Sequence, residues 1–296
     1  EQMAGREKET QYQNGLSTIL SKTITTYAVT TTGLPSTGYF TYASRVDESL
    51  NGIDIRRTEY EYDTTNTTGN LTRVKEYIGT ATLYRQTDYV YVTNILPAYW
   101  ILNTLARRTL KDGSLAILAV QEYGYDGSLP ASGSPTKGEL TLSRAVNGTQ
   151  TIDTKYIYDA TYGNLTETRF CKSYGSTSTL PSCASYLGYV TTYDTATKTY
   201  VRYSDPPLIP ATEITYDYGL GLPTTIKDPN GNTTTTTYDG LGRVKTITYP
   251  GQAQANVKYT YPTPAGSPLS VTAPFALKLE VWDQPASLYR SAWQML

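Results

Sequence analysis

Histidine is absent from this chain of 296 residues, which contains only two cysteines and two methionines. Without histidine there is no Ser-His-Asp or Cys-His nucleophilic pair, no histidine-ligated metal and no general base of the usual kind at neutral pH. The alternative that remains is an enzyme with a pair of carboxylates in a pocket. The sequence predicts that the chain is not an enzyme, with no catalytic residue and no cofactor.

Charge is scarce and balanced, with 25 Lys and Arg against 26 Asp and Glu and a net charge of −1. Such a chain has no basic field that would attract nucleic acid or an anionic membrane. No apolar run approaches the length of a membrane span, and the first residues, EQMAGREKET, contain neither an initiator Met nor the apolar segment of a signal peptide. We predict no nucleic-acid partner, no membrane insertion by this segment, and a mature product or a fragment.

Tyrosine, by contrast, occurs 29 times, and together with Thr it favours half-exposed pleated strands. Many tyrosines belong to Tyr-Asp pairs that end one alternating run and precede a Gly-containing turn and a second run. The pairs are Tyr62-Asp63, Tyr125-Asp126, Tyr158-Asp159, Tyr193-Asp194, Tyr216-Asp217 and Tyr238-Asp239. The closest pairs give a repeat of about 22 residues, and longer intervals place insertions in turns, at residues 127–138 and 171–183. Tyr91 replaces the repeat tyrosine in a degenerate unit.

The chemistry of one unit predicts its local structure. Residues 244–249 alternate with period two, so each strand has two usable faces. Asp239 is placed to accept hydrogen bonds from the amides that follow it, and Gly240 and Gly242 permit positive φ. The pattern predicts an all-β array of antiparallel hairpins. The row of repeat carboxylates is also a candidate Ca²⁺ site, but the DxDxDG spacing is missing, so turn capping is preferred.

The unit from Tyr238 to Val244, Tyr-Asp-Gly-Leu-Gly-Arg-Val, resembles the signature of the Rhs/YD-repeat family. Gly163-Asn164-Leu165 and Gly69-Asn70-Leu71 resemble its Gly-Asn form. The stretches GYFTYASRVDESLNG (38–52) and LNTLARRTLKDG (102–113) look like segments of the repeat shells of large bacterial toxins. The resemblance covers residues 20–296, behind an N-terminal flank at residues 1–20.

The resemblance implies a long antiparallel sheet that spirals into a hollow shell around a C-terminal effector, which self-proteolysis releases. This chain contains neither the proline-rich cleavage core nor an effector domain, so self-proteolysis is not carried over. Residues 289–296 look like the strand before a further Tyr-Asp unit, so we expect an array truncated at both ends. The predicted function is a structural segment of a secreted or cell-surface bacterial shell, whose partners are the effector or other toxin subunits.

The alternative function is an extracellular adhesion module that binds glycans or proteins. In that case exposed tyrosines, with Trp100 or Trp282, stack on sugar rings. The preferred interpretation is that the repeat tyrosines pack across strands and stabilise the sheet, because they recur at one register of the repeat.

The sequence also predicts structural contacts for the two cysteines and for three arginines. Cys171 and Cys183 flank a loop between adjacent strands, which favours a disulfide and an oxidising setting over two buried free thiols. Arg73, Arg169 and Arg243 follow the turns, and they are expected to pair with Asp or Glu on neighbouring strands, each with little effect on stability.

Overall fold

The computed structural model describes residues 5–15, 18–30, 39–64, 68–261, 276–283 and 287–295. These residues form 21 β-strands without a helix, and the neighbouring strands pair antiparallel. The prediction of an all-β, antiparallel chain is therefore confirmed. In the part of the chain that is described, no helix has the length and hydropathy needed to cross a membrane.

The chain divides into two compact units, residues 1–158 with 169–187 and residues 159–168 with 188–296. Two strands, β11 (Leu165–Cys171) and β13 (Tyr186–Tyr193), contain the points of division. The first unit otherwise contains β1 (Glu9–Gln13), β2 (Ile19–Thr30), β3 (Phe40–Leu50), β4 (Ile53–Tyr62), β5 (Leu71–Ile78), β6 (Thr82–Asn94), β7 (Ile101–Asp112), β8 (Ile117–Tyr125), β9 (Leu140–Asn147), β10 (Gln150–Tyr158) and β12 (Gly175–Ser176).

Each strand of the first unit from β1 to β10 pairs with the next one along the chain, and β12 adds to the far side of β10. The stretch predicted as an N-terminal flank, residues 1–20, contains β1. The longest strand described in this unit, β6, has 13 residues.

The second unit is also a meander in which sequence neighbours pair from β13 to β21. Its strands after β13 are β14 (Val201–Asp205), β15 (Thr212–Asp217), β16 (Leu222–Lys227), β17 (Thr233–Tyr238), β18 (Val244–Thr248), β19 (Val257–Thr260), β20 (Ala276–Asp283) and β21 (Leu288–Met295). The five threonines at residues 233–237 belong to β17. Most strand residues in the chain are half-buried, as expected for thin sheets.

One face of the first unit carries a row of cross-strand ion pairs. Arg73 of β5 contacts Glu61 of β4 at 2.9 Å and Asp88 of β6 at 2.6 Å, as expected from the sequence. Lys111 of β7 also lies 2.7 Å from Asp88. Burial by itself would raise the pKa of the Asp88 carboxyl, but hydrogen bonds from these two cations and from Gln86 lower it to about 2. This carboxylate therefore stays ionised and links the charges of three strands.

The same face ends in a fully buried ion pair that the sequence did not indicate. Arg144 of β9 lies opposite Asp153 of β10, with 3.2 Å between Nε and Oδ1, and both side chains are inaccessible to solvent. The guanidinium also donates to the backbone carbonyls of Ser176, Thr177 and Thr179. These carbonyls belong to the strap, defined here as residues 172–182. A charge buried this deeply needs such partners, so the strap and the pair stabilise each other.

A methyl group added to the strap at Gly175 would collide with this cluster. The added Cβ would lie 1.9 Å from Oδ2 of Asp153 and 2.6 Å from Oγ1 of Thr151, both of which are buried. We expect Gly175→Ala to destabilise the protein by about 2 kcal/mol in urea unfolding. Gly240→Ala is the matched control, because nothing lies within 4 Å of its Cβ position. Equal unfolding midpoints for the two variants would contradict the strap packing.

Candidate functional site

The repeat tyrosines lie at irregularities of the strand ladder. The register shifts immediately before the tyrosine at Tyr62, Tyr91, Tyr125, Tyr193, Tyr216 and Tyr238. A bulge of this kind bends the strand and redirects a side chain. Tyr91, the stand-in from the degenerate unit, thus shares the local geometry of the regular repeats.

Hydroxyls of the repeat tyrosines add a contact between repeats to the strand pairing. Five of the repeat tyrosines donate their hydroxyl hydrogen to a backbone carbonyl on an earlier strand: Tyr125 to Leu105 (2.9 Å), Tyr158 to Leu140 (3.0 Å), Tyr193 to Leu165 (3.2 Å), Tyr216 to Val201 (3.0 Å) and Tyr238 to Pro223 (2.7 Å). In the last four cases the acceptor lies near the start of the strand that follows the preceding Tyr-Asp turn. One hydrogen bond thereby connects the end of one repeat to the turn of the repeat before it.

Aromatic packing and burial surround these hydroxyls. Tyr62 packs against Tyr42 with ring centroids 4.7 Å apart, and Tyr216 stacks on Tyr200 at 4.9 Å. Burial raises the pKa of Tyr62, Tyr125, Tyr158, Tyr216 and Tyr238, with an added contribution from the charge of Glu139 at Tyr158 and of Asp194 at Tyr216. The neutral, hydrogen-bonding form of the tyrosines is therefore favoured in the folded chain.

The aspartate that follows each tyrosine closes a turn. Its backbone N–H donates to the carbonyl of the residue just before the next strand. The pairs are Asp63 to Asn70, Asp126 to Glu139, Asp159 to Asn164, Asp194 to Tyr200 and Asp239 to Arg243. Its carboxylate accepts hydrogen bonds from amides inside the turn. In the turn after Asp217, for example, Oδ1 accepts from the amides of Gly219 and Leu220.

Asp194 is the most enclosed of these carboxylates, with 1% of its surface exposed. Its oxygens accept hydrogen bonds from the backbone amides of all four residues from Thr197 to Tyr200 and from the hydroxyl of Thr197. Burial by itself would raise the pKa of this carboxyl, but the converging amides lower it well below its ordinary value. The buried charge is thus held by backbone dipoles rather than by a cation.

In the unit from Tyr238 to Val244, the arginine pairs with the aspartate of its own turn. Arg243 contacts the carboxylate of Asp239 at 2.7 Å, and its guanidinium lies 4.2 Å from the ring centroid of Tyr261. The expected pairing of Arg243 with an acid on a neighbouring strand is therefore wrong, because the Asp of its own turn is closer. Gly242 has a φ of +77°, and its missing Cβ leaves room for Leu222.

The Gly-Asn form of the repeat has its own function, which the sequence reasoning missed. Nδ2 of Asn70 donates to the carbonyl of Leu102 at 2.5 Å, and Nδ2 of Asn164 donates to that of Lys198 at 2.6 Å. Each Asn lines a shallow surface cavity beside its turn, of 330 Å³ at Asn70 and 290 Å³ at Asn164. The recurrence of Gly-Asn-Leu at residues 69–71 and 163–165 is the sequence signal for this contact.

The carboxylates leave few oxygens for a metal ion, because turn amides occupy them. In the described residues, no three His, Cys, Asp or Glu side chains converge as metal ligands do. The two cysteines, Cys171 and Cys183, form a disulfide with Cα atoms 5.0 Å apart at the two ends of the strap.

The two tryptophans considered for glycan stacking belong to different units. Trp100 follows the turn between β6 and β7, and 67% of its surface is exposed. Trp282 of β20 packs edge-on against Tyr289, with ring centroids 5.0 Å apart. The indole of Trp282 therefore already has an aromatic partner, whereas the ring of Trp100 is accessible.

Comparison with known proteins identifies the repeat. Residues 216–254 match the family model of the RHS repeat, which confirms the resemblance derived from the Tyr-Asp units. The chain is similar in fold to the crystal structure of TcdB2-TccC3 without its hypervariable C-terminal region, with a TM-score of 0.54 and 10% identity. This similarity covers 94% of this chain but 18% of that one, and at such low identity it concerns the fold alone.

Two other solved structures match with scores that are too low to bear on the fold. One is TcdB2-TccC3-TEV, with a TM-score of 0.27 and 15% identity, over 85% of this chain and 16% of that one. The other is a porin-like protein from Bacteroides uniformis ATCC 8492, with a TM-score of 0.30 and 12% identity, over 74% of this chain and 87% of that one. No curated protein matches the sequence of the chain.

Removal of a repeat hydroxyl tests the contact between repeats. We expect Tyr238→Phe to lower the free energy of unfolding by about 1 kcal/mol at neutral pH, because the carbonyl of Pro223 loses its donor. Tyr249→Phe is the matched control in the same unit, since 49% of Tyr249 is exposed. A loss of stability of the same size in both variants would argue against a specific role of the repeat tyrosine.

The raised tyrosine pKa values predict a loss of stability in alkali. The pKa of Tyr238 in the folded state lies above the unfolded value of about 10. The contribution of the neutral tyrosine to stability is therefore complete below pH 10 and is lost as the pH rises through the folded-state pKa. Urea unfolding followed from pH 8 upward is expected to show wild type falling more steeply than Tyr238→Phe above pH 10. Parallel curves for the two proteins would contradict this assignment.

The lowered pKa of Asp194 predicts that the stability of the protein also falls in acid. Its lowered pKa means that its contribution is present above the unfolded value of about 3.9 and is lost as the pH falls through the lower folded value. We expect Asp194→Asn to lower the urea midpoint at pH 7 and to reduce the acid sensitivity. Asp205→Asn, at an exposed position of β14, is expected to leave both unchanged. Unchanged acid unfolding in Asp194→Asn would exclude this carboxylate as a pH-dependent anchor.

Proposed function

Because the chain carries an RHS repeat in an all-β antiparallel fold, we propose that it is a structural segment of a bacterial shell protein that encloses or displays a toxin effector. The proposal extends to other toxin subunits as partners. It rests first on the hydrogen bonds from repeat tyrosines, such as Tyr158, Tyr216 and Tyr238, to carbonyls of the preceding repeat, which join successive hairpins.

A solved structure of similar fold comes from a protein that has a variable C-terminal region. It is a TcdB2-TccC3 crystal structure without the hypervariable C-terminal region of that protein. A variable C-terminal piece is what the Rhs/YD resemblance assigns to the shell as cargo. A wall made of repeats suits this task, because its length grows by whole hairpins without a change in local contacts.

A structural function also agrees with how the polar residues are used. The repeat aspartates accept hydrogen bonds from turn amides, and the repeat tyrosines donate to carbonyls, so neither set is oriented toward a substrate. This favours a role without catalysis. The disulfide between Cys171 and Cys183 favours a secreted or cell-surface location, since such bonds persist in oxidising compartments.

The second candidate, a glycan-binding or protein-binding module, has support at one of its two predicted residues. The ring of Trp100 is exposed, whereas Trp282 packs against Tyr289. A single exposed indole is a small platform for a sugar chain, so the shell is the preferred function.

The experiment is to isolate the native protein from cells and culture supernatant with an antibody against residues 68–250 and to measure its intact mass. We expect a chain far heavier than 32.7 kDa, accompanied by a C-terminal fragment that resists added protease until the shell is unfolded. The protection assay uses a native chain that carries Tyr216→Phe and Tyr238→Phe, with Tyr249→Phe as control. The double variant is expected to lose protection at a lower urea concentration than the control.

A stable secreted product near 32.7 kDa would overturn the shell function and place the binding module first. A heavy chain whose C-terminal part is cleaved as fast as a denatured sample would also overturn enclosure.

A further inference from the structure

The hairpin formed by β6 and β7 ends in an uncharged tip. No charged residue occurs from Tyr89 to Ala106. The pairing of β6 with β5 ends at Asp88, and the pairing of β7 with β8 begins at Arg107. The uncharged residues therefore coincide with the part of the hairpin that extends past the ladders of both neighbouring strands.

The turn at the end of this hairpin exposes large apolar side chains. The exposed fractions are 55% for Ile95, 59% for Leu96, 44% for Tyr99 and 67% for Trp100. These four residues within one short turn include an indole and a phenol ring, whereas the turn with Leu115, Ile117 and Leu118, for example, exposes aliphatic side chains. We call residues 95–100 the tip loop.

The tip loop is held in this exposed conformation by hydrogen bonds. Buried Asn94 donates from Nδ2 to the carbonyl of Pro135 at 2.9 Å and accepts from the amide of Leu96. The amides of Tyr99 and Trp100 both donate to the carbonyl of Leu96. Trp100 has a φ of +48°, in the left-handed region that bulky residues rarely adopt. The fold thus fixes an indole at the surface at the expense of backbone strain.

The size of the tip loop argues against a protein as its partner. The exposed parts of four large side chains amount to roughly 400 Å², which is about half of what each partner of a specific protein complex usually contributes, about 800 Å². A sugar ring would cover the aromatic pair and leave Ile95 and Leu96 in water. A lipid interface accommodates both kinds of side chain, because indole and phenol rings favour the headgroup region and aliphatic side chains favour the hydrocarbon below it.

We propose that the tip loop docks into the interface of a zwitterionic lipid bilayer. The charges nearest to the tip along the chain, Asp88 and Arg107, have opposite signs, and the chain as a whole carries a net charge of −1. Binding therefore does not depend on anionic lipids or on salt, unlike binding through a basic patch. The docking is interfacial and requires no membrane-spanning segment.

The test measures binding of the full chain to phosphatidylcholine vesicles by flotation, at low and high salt. We expect binding at both salt concentrations, and a partition coefficient at least about tenfold lower for the double variant Leu96→Ser and Trp100→Ser. The matched control is Leu208→Ser with Leu241→Ser, which removes two leucines that are 93% and 78% exposed in other turns. The control is expected to bind as wild type does. Ala98→Lys, which adds a charge within the tip loop, is expected to weaken binding as the double variant does.

Several results would overturn the proposal. One is a wild-type chain that stays unbound at excess lipid, and another is equal binding by wild type and the double variant. Binding restricted to anionic vesicles and abolished by salt would identify a basic surface elsewhere. If lipid binding is absent and the chain is retained on polysaccharide columns, loss of retention in the double variant would assign the tip loop to a sugar. If lipid binding is absent and the chain dimerises, loss of the dimer in the double variant would assign the tip loop to a protein. Circular dichroism of all variants confirms that they remain folded.

Discussion

The hydrogen bond from a tyrosine hydroxyl to a carbonyl on an earlier strand is the interaction on which the repeat architecture depends. A bulge interrupts the regular ladder and redirects the side chain that follows it. The register shifts just before Tyr216 and Tyr238, and their hydroxyls donate to the carbonyls of Val201 and Pro223 on the preceding repeat. Each bond contributes modestly, but its recurrence from Tyr125 to Tyr238 gives successive hairpins a similar contact.

The dipeptide Tyr-Asp thus acts in two directions along the chain. Its tyrosine reaches back to the preceding repeat, and its aspartate binds the amides of the turn that follows. At Tyr193 and Asp194 both contacts occur in adjacent residues: the hydroxyl bonds to Leu165 and the carboxylate to the turn at residues 197–200. Adjacency of the two residues is required because one must lie at the bulge while the next begins the turn.

The sequence was sufficient for those parts of the fold that local pattern determines. Alternation predicted the strands, and the spacing of Tyr-Asp pairs located the turns and insertions. It was insufficient for Arg144 and Asp153, because only the register between β9 and β10 places them opposite each other, and register depends on turn geometry. It also misassigned Arg243, since the nearest acid was in its own turn, and it gave no sign of the backbone conformation of Trp100, which depends on a hydrogen bond to Leu96.

The meander topology has a consequence for synthesis. Within each unit a strand pairs with the strand made just before it, so the first unit is able to fold in the order in which the ribosome delivers it, from β1 toward β10. Loop closure between adjacent strands costs little entropy, and the next hairpin covers the growing edge of the sheet. A chain built in this way lengthens vectorially and leaves little unpaired strand exposed to aggregation while it is still being made.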